Sequence, residues 1–265
     1  MPEAPESGHD PVSTLAVLPA RLSATRLPQK PLRLLGGRPL IVRVWERVQE
    51  LRIADRVVVA TDHPDIAAVC REAGADVAMT RADHPSGTDR VAEVAMQPAY
   101  AGFDVVVNVQ GDEPFVSREA VAGAAAMVTS GRFPLGTAAA MATPAILDRP
   151  DIVKVVVGDD ARALYFSRAP IPYLRDAADA PLLEGQVCQH VGVYAYTRAA
   201  LAAWVSLPQH PLERLEKLEQ LRPLAAGWAM GVADVPDTPL GGVDTEEDLA
   251  RANARWTTTT EGRTR

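Results

Sequence analysis

The chain is short of cysteine, of long apolar runs and of positive charge, and each shortage removes a class of protein. Of 265 residues only Cys70 and Cys188 are cysteine, and neither belongs to a CxxC pair. Two distant thiols make neither a disulfide framework nor a zinc site, so both read as buried thiols in a reducing compartment. No apolar stretch approaches the roughly 20 residues that a membrane helix needs. Met1–Ser13 is polar, acidic and proline-bearing. It lacks the basic and apolar regions of a signal peptide, reads as a disordered leader and points to the cytoplasm. Thr257–Arg265 reads as a frayed tail. The net charge of −7 supplies no basic field for nucleic acid, so an anionic substrate has to be met by a local cluster of cations. No GxGxxG or Walker A sequence follows the first apolar run, which removes support for dinucleotide and P-loop readings.

A composition of 47% hydrophobic and 23% charged residues fits a globular protein with a substantial core. Apolar runs and helical patterns alternate from the start. Leu15–Leu18, Arg56–Ala60, Asp76–Met79 and Asp104–Val109 read as buried parallel strands. Pro39 opens a helix whose Leu40, Ile41, Val44, Trp45, Val48 and Leu51 share one face. Pro64–Ala73 is a helix stopped by Gly74, and Thr88–Met96 and Ser117–Val128 are two more. This rhythm predicts an α/β fold, a doubly wound and mainly parallel sheet. Ligands in such sheets lie beyond the carboxyl ends of the strands, where the strand order reverses.

The second half is less regular. Val153–Val157, Ala163–Phe166 and Val191–Tyr196 read as strands, and Thr197–Val205, Leu212–Leu224 and Asp244–Ala254 as helices. Ala169–Pro181 reads as a loop. With no strong linker, 14–255 is expected to form a single domain whose second half builds a smaller substrate and dimerisation lobe. Residues 1–13 and 256–265 are expected to lie outside it.

Three constellations can carry chemistry. The loop after the first strand, Pro19-Ala20-Arg21 through Arg26 to Lys30, holds three cations within ten residues. They can grip a triphosphate, Arg by bidentate forks and Lys as a point charge, unless the loop is simply a solvated basic segment. Asp112, in Gln110-Gly111-Asp112-Glu113-Pro114, stands at a strand's carboxyl end, where a carboxylate can hold Mg²⁺. The same residues can also be only a turn. Asp244 is a further carboxylate, or else a helix N-cap before an acidic first turn.

Other residues leave two readings open. His190 in an apolar strand is a ligand contact or a satisfied core histidine, and His63 reads as a turn residue at a helix start. Leu212, Leu215 and Leu218 read as a core or dimer stripe, while Glu216 and Gln220, four apart, share a face that can meet a polar ligand. Trp45, Trp204 and Trp228 fill the core or an interface. Lys154 points into a cleft or sits on an edge strand.

The segments PARLSATRLPQKPL, TRADHPSGTDRVAE, VNVQGDEPFV, ALYFSRAPIPY, HVGVYAYTR, LERLEKLEQLR and GVDTEEDLA resemble, in order, the signature blocks of the 3-deoxy-manno-octulosonate (KDO) cytidylyltransferases, the CMP-KDO synthetases. They span Leu15 to Leu249. The resemblance implies a nucleotide-diphospho-sugar transferase-like fold, and a reaction in which CTP and KDO give CMP-KDO and pyrophosphate for lipopolysaccharide biosynthesis. It also implies a homodimer and Mg²⁺ as cofactor.

Residue by residue, the resemblance puts Arg21 and Lys30, beside Pro19 and Ala20, on the CTP phosphates, and Arg26 near the sugar acid. His84, Ser86, Gly87, Thr88 and Arg90 fall on the cytosine-ribose side. Gln110 is implied to touch the sugar, and Asp112 and Asp244 to bind magnesium. Arg168, His190, Tyr194, Glu213, Glu216 and Gln220 are implied to shape the KDO pocket. Arg21, Lys30, Asp112 and Asp244 form the expected catalytic set. No side chain is read as an obligatory general base, and activation of the attacking hydroxyl is left to the metal.

The chain departs from the usual pattern at Ser23-Ala24, where Ala-Ser is common, at Gln29 for a frequent glycine and at Gln189 for a frequent arginine. The alternatives are the same reaction on 8-amino-KDO or another acidic sugar and, from a different class, a nucleotide-binding regulator without catalysis.

Overall fold

A computed structural model describes residues 12–22, 26–236 and 241–263. Most of the expected leader, and the Ser23-Ala24 departure, lie outside the described residues. Ser13, expected in the leader, is instead tied to the domain, its amide and hydroxyl both donating to Asp104 Oδ2 at 2.9 and 2.8 Å.

The chain order is β1 (Thr14–Ala20), β2 (Leu34–Leu35), β3 (Arg38–Pro39), α1 (Leu40–Leu51), β4 (Arg56–Thr61), α2 (Pro64–Glu72), β5 (Asp76–Met79), α3 (Gly87–Ala95) and β6 (Val105–Asn108). Next come α4 (Arg118–Thr129), β7 (Leu135–Met141), β8 (Lys154–Val157), β9 (Ala163–Ser167) and β10 (Cys188–Thr197). The chain closes with α5 (Arg198–Ser206), α6 (Pro211–Glu216), α7 (Leu221–Ala225), β11 (Met230–Val235) and α8 (Glu246–Arg263).

The main sheet runs β11-β7-β10-β6-β1-β4-β5, with β8 and β9 added beside β10. Strands β5, β4, β1 and β6 are mutually parallel, and β10 is antiparallel to both β6 and β7. The order reverses at β1, whose neighbours β4 and β6 lie on opposite sides of it, so the crevice for a ligand opens where β1 and β6 end. Successive residues of β1 face opposite ways, Ala16 and Leu18 into one core cluster and Leu15 and Val17 into the other. The first cluster is closed by α1, α2, α4 and α8, the second by α3, α5 and the α6–α7 region.

Strands β7 and β11 are absent from the sequence reading. LGTAAAM has weak β-propensity, yet its small residues are what admit α4. A Cβ on Gly136 would lie 2.3 Å from the Ala124 carbonyl oxygen. The single helix expected over Leu212–Leu224 is two, broken where Lys217 turns left-handed at φ 56. The leucines do not form one stripe either, since Leu218 is buried while Leu215 is 79% exposed.

The closing helix continues to Arg263 rather than stopping at Ala254. Its acidic first turn suits the helix dipole, and Leu249 and Ala252 bury into the core. Lys154 is neither in the cleft nor at an edge. It is fully buried, and its Nζ donates to the carbonyls of Arg149, Ile152 and Arg168 at 2.9, 2.9 and 2.6 Å.

Candidate active site

A cleft of about 810 Å³ opens at the switch point. The end of β1 brings Pro19, Ala20 and Arg21, the following loop brings Arg26 and Lys30, and the end of β6 brings Gln110, Gly111 and Asp112. The two strand ends touch closely enough that a Cβ on Gly111 would sit 2.7 Å from the Pro19 carbonyl oxygen. Glycine is required there.

Lys30 is the meeting point of the cleft. Its Nζ donates to Asp112 Oδ2 in a short contact and to Asp244 Oδ1 at 2.9 Å. Burial works against its charge, but Asp112 and Asp244 outweigh it and hold the ammonium above the usual lysine pKa. Arg26 donates to the second oxygen of Asp244 at 2.9 Å. Gln29, at a frequent glycine position, adopts a left-handed conformation at φ 55 just before the single turn that carries Lys30.

Asp244 is not the helix cap. Thr245 takes that role, exchanging hydrogen bonds with Asp248 at 2.9 and 3.1 Å, which leaves the Asp244 carboxylate for the cleft. A Cβ on Gly242 would come within 3.3 Å of the Asp112 carboxyl carbon, so the two aspartate segments pack face to face. Beside them the Glu113 carboxyl is pushed up to about 8, by burial first and then by Asp112 and Asp244, with Lys30 opposing. Two hard carboxylates converging on one cation match the donor set that Mg²⁺ takes when substrate phosphates and water complete its shell. The residues therefore fit a divalent ion, which Asp112 and Asp244 would hold.

The α3 side is braced by structural partners. Ser86 caps the helix and donates to Asp89 Oδ2 at 2.6 Å. Arg90 is buried against Asp62 at 3.0 Å and also bonds Thr80, while His84 makes a short contact with Glu93. Thr88 donates to Glu219 Oε2 at 2.7 Å, tying α3 to the segment between α6 and α7. Gly87 and Thr88, at the start of α3, line the cleft, and a helix N-terminus is a setting suited to an anion.

Strand β10 supplies His190 and Tyr194, with an irregularity in its pairing between Val191 and Tyr194. Gly192 sits inside that irregularity and lets the Gln110 side chain lie alongside, 3.8 Å from where a Cβ would be. The His190 ring bonds Thr137 Oγ1 through Nε2 at 2.9 Å and packs between Phe166 and Tyr194. Burial pulls its pKa from the usual 6.5 to about 3. The core reading of His190 holds, and the residue also lines the cleft. Gln220 is buried at the cleft wall, its amide nitrogen without a partner among the described residues.

Three expected pocket residues are not on the wall. Glu213 pairs with Arg222 in a buried bidentate bridge, at 2.8 and 2.6 Å, inside the α6–α7 region. Glu216 accepts from the Ser167 hydroxyl at 2.6 Å and the Arg168 amide at 2.9 Å. The Arg168 guanidinium is spent on the carbonyls of Glu216 and Pro150. The break at Lys217 explains the difference. It turns Lys217, Leu218, Glu219 and Gln220 to the cleft and leaves Glu213 and Glu216 behind. Lys217, Glu219 and Gly192 were missed. Only Glu219 carried a local signal, as the acidic neighbour of Gln220, and the assumption of an unbroken helix hid it.

The cytidylyltransferase family model matches residues 15–230. The 3-deoxy-manno-octulosonate cytidylyltransferase of Gemmatimonas aurantiaca is 65% identical over 242 residues, 91% of this chain and 93% of that protein. The enzyme of the same name from Herminiimonas arsenicoxydans is 47% identical over 257 residues, 93% of this chain and all of the relative. Among solved structures, a CMP:2-keto-3-deoxy-manno-octonic acid synthetase complexed with CTP superposes with a TM-score of 0.85 at 37% identity, covering 93% of this chain and 99% of the other. A cytidylyltransferase from Leptospira borgpetersenii, at 16% identity and a TM-score of 0.59, shares the fold. On the family match, the extent of these identities and the cleft at the switch point, the chain belongs to the cytidylyltransferase family, among the 3-deoxy-manno-octulosonate cytidylyltransferases.

Proposed function

We propose that the protein couples CTP to 3-deoxy-manno-octulosonate, releasing pyrophosphate and forming CMP-KDO for lipopolysaccharide synthesis in the cytoplasm, as a Mg²⁺-dependent homodimer. The observation that carries this reading is the Lys30 ammonium shared by Asp112 and Asp244, in a cleft also lined by the start of α3 and by His190, Tyr194 and Gln220. Relatives at 65% and 47% identity bear the name of this activity, and the structural neighbour was solved with CTP.

CTP lies with its base and ribose toward His84–Arg90 and its triphosphate along Arg21 and Lys30. The sugar acid takes the end lined by Gln110, His190, Tyr194 and Gln220. Its anomeric hydroxyl oxygen bonds to the α-phosphorus as the hydroxyl proton passes to solvent, the bond from that phosphorus to the bridging oxygen breaks, and the electron pair leaves with pyrophosphate. Arg21 and Lys30 neutralise the charge that accumulates on the leaving phosphates, which is most of what a protein contributes to such a transfer. A bound divalent cation, held by Asp112 and Asp244, would supply Lewis-acid charge neutralisation at the phosphates and at the attacking hydroxyl. His190 is no general base, since burial keeps it weakly basic and Nε2 is committed to Thr137. Dimerisation fits the exposed Tyr173 and Leu182, which border a second cavity lined by residues of β7, β8 and β11.

Pyrophosphate release from CTP and Mg²⁺ tests the reading, with KDO, 8-amino-KDO, N-acetylneuraminate or no sugar. Release with KDO is expected. Release only with another sugar keeps the mechanism and overturns the substrate. No release with any sugar, from a folded protein that still binds CTP, identifies a nucleotide-binding regulator.

A further inference from the structure

The placement of Asp244 depends on a helix that lies beyond the residues matched by the family model. The Asp244 and Thr245 amides both donate to Asp248 Oδ2, at 3.1 and 2.9 Å, and Thr245 Oγ1 caps the Asp248 amide at 3.1 Å. Asp244 is thus fixed to the first turn of α8, and where α8 lies decides where this carboxylate stands.

Contacts along α8 fix the helix in turn. Near its start, Glu246 takes a bidentate bridge from Arg33, which follows the Lys30 turn. Two turns on, Asn253 accepts from the Gly36 amide at 2.9 Å and donates to the Leu34 carbonyl at 3.1 Å, both in the β2–β3 hairpin. One turn further, the Trp256 ring lies on Gly36, where an added Cβ would meet Cδ1 at 2.3 Å. The Arg43 guanidinium stacks 4.4 Å from the ring centroid, while its Nε and Nη2 hold the hairpin carbonyls of Leu35 and Gly36. On its other side Trp256 meets the Phe115 ring at 6.1 Å, three residues after Asp112. One side chain therefore touches the hairpin that follows Lys30 and the segment that follows Asp112, on the helix that carries Asp244.

We propose that Trp256 is a positioning residue for the reaction. By docking α8 on both segments it sets where the Asp244 carboxylate stands relative to Asp112 and Lys30. The inference rests on the reading of Asp112 and Asp244 as the pair that holds a divalent cation. Among the described residues Trp256 is not one that lines the cleft, and it stands about 15 Å along the helix from its first residue at 1.5 Å per residue. Its influence is mechanical: a helix loosened at its far end tilts at its near end. A displacement of about 1 Å at a reacting group can cost on the order of 10²-fold in rate.

The test uses the full chain with Trp256→Ala and Trp256→Phe, and Asp244→Asn as reference. Binding of Mn²⁺ to the enzyme–CTP complex is followed by electron paramagnetic resonance, beside steady-state kinetics and thermal midpoints. Trp256→Ala is expected to weaken Mn²⁺ binding and raise the half-saturating Mg²⁺ by roughly tenfold, leaving KM for KDO within about twofold. Trp256→Phe, which refills the space over Gly36, is expected to restore most of the metal affinity. Asn253→Ala loosens the same helix without deleting the ring, and is expected to shift Mn²⁺ binding in the same direction should Trp256→Ala fail to fold. If Asp244→Asn weakens Mn²⁺ binding and neither Trp256→Ala nor Asn253→Ala does, the positioning role is overturned and the metal reading survives. If Asp244→Asn also leaves Mn²⁺ binding unchanged, the metal reading falls and this inference falls with it. A rise in metal, CTP and KDO constants together, not rescued by phenylalanine, overturns it as general loosening.

Discussion

Two carboxylates sharing one ammonium leave a negative charge uncompensated, and at the mouth of the cleft Arg26 balances it on Asp244. In the proposed reaction a bound triphosphate would compete for both cations, and Asp112 and Asp244 would then be left to hold a divalent ion. Lys30→Met keeps the bulk and deletes the charge. It is expected to lower turnover by roughly 10²–10³-fold, the usual loss for one electrostatic contact in a transition state. The same variant is expected to bind Mn²⁺ more tightly than wild type in the absence of CTP. Unchanged turnover in a protein with native circular dichroism would remove Lys30 from the mechanism.

His190 makes a second prediction, on stability. Its folded pKa of about 3 lies below the usual 6.5, so below pH 6.5 the unfolded chain binds a proton that the folded chain refuses. The sign follows: its contribution is fully present above 6.5 and declines as pH falls toward 3, at up to about 1.4 kcal/mol per pH unit. Thermal midpoints of wild type should therefore fall more steeply between pH 6.5 and 5 than those of His190→Gln. Parallel curves would show that His190 does not carry this dependence.

Among the elements, the α6–α7 break separates what is structural from what faces the ligand. Glu213 and Arg222 form a buried pair at its base. Removing one partner of such a pair strands a charge, at a cost of about 3–5 kcal/mol, whereas replacing both by apolar residues is often neutral. Glu213→Gln is thus expected to lower the thermal midpoint with little effect on KM for the sugar, and Glu213→Leu/Arg222→Met to recover most of it. A raised KM at unchanged stability would instead make Glu213 a ligand contact.

This is also where the sequence was least legible. Strands β1, β4 and β6 are built around apolar runs (residues 15–18, 57–60 and 105–107), which periodicity detects directly, and the cations and aspartates follow because strand ends can be counted. The Lys217 break is a single left-handed residue with no glycine to announce it, so Glu213 and Glu216 were placed on the wrong side. Strand β7 is alanine and glycine because α4 packs against it, and its identity as a strand lives in that packing rather than in propensity. Lys154 interrupts an apolar run, and the carbonyls of Arg149, Ile152 and Arg168 that cage it come from the turn before β8 and from the residue after β9, which local sequence does not bring together.

At the scale of the whole molecule, the cleft and a second, more apolar surface are lined by different residues. Tyr173 is 79% exposed, Leu182 70% and Met141 45%, and all border a second cavity of about 540 Å³ away from the Lys30–Asp112–Asp244 cluster. Large apolar side chains grouped in one place on a monomer mark a contact surface, and a twofold contact presents the same patch from both copies. A stable interface needs roughly 1,200–2,000 Å² in total, so charges introduced at the centre of the patch should dissociate it. The wild-type chain is expected to sediment at twice 28.3 kDa, and Tyr173→Glu/Leu182→Glu at that mass itself. Because this surface contributes no side chain to the Lys30 cluster, the variant should keep its affinity for CTP. A wild type that sediments as a monomer would overturn the dimer and leave the chemistry of the cleft untouched. Loss of CTP binding on dissociation would mean that the cleft is complete only in the assembly.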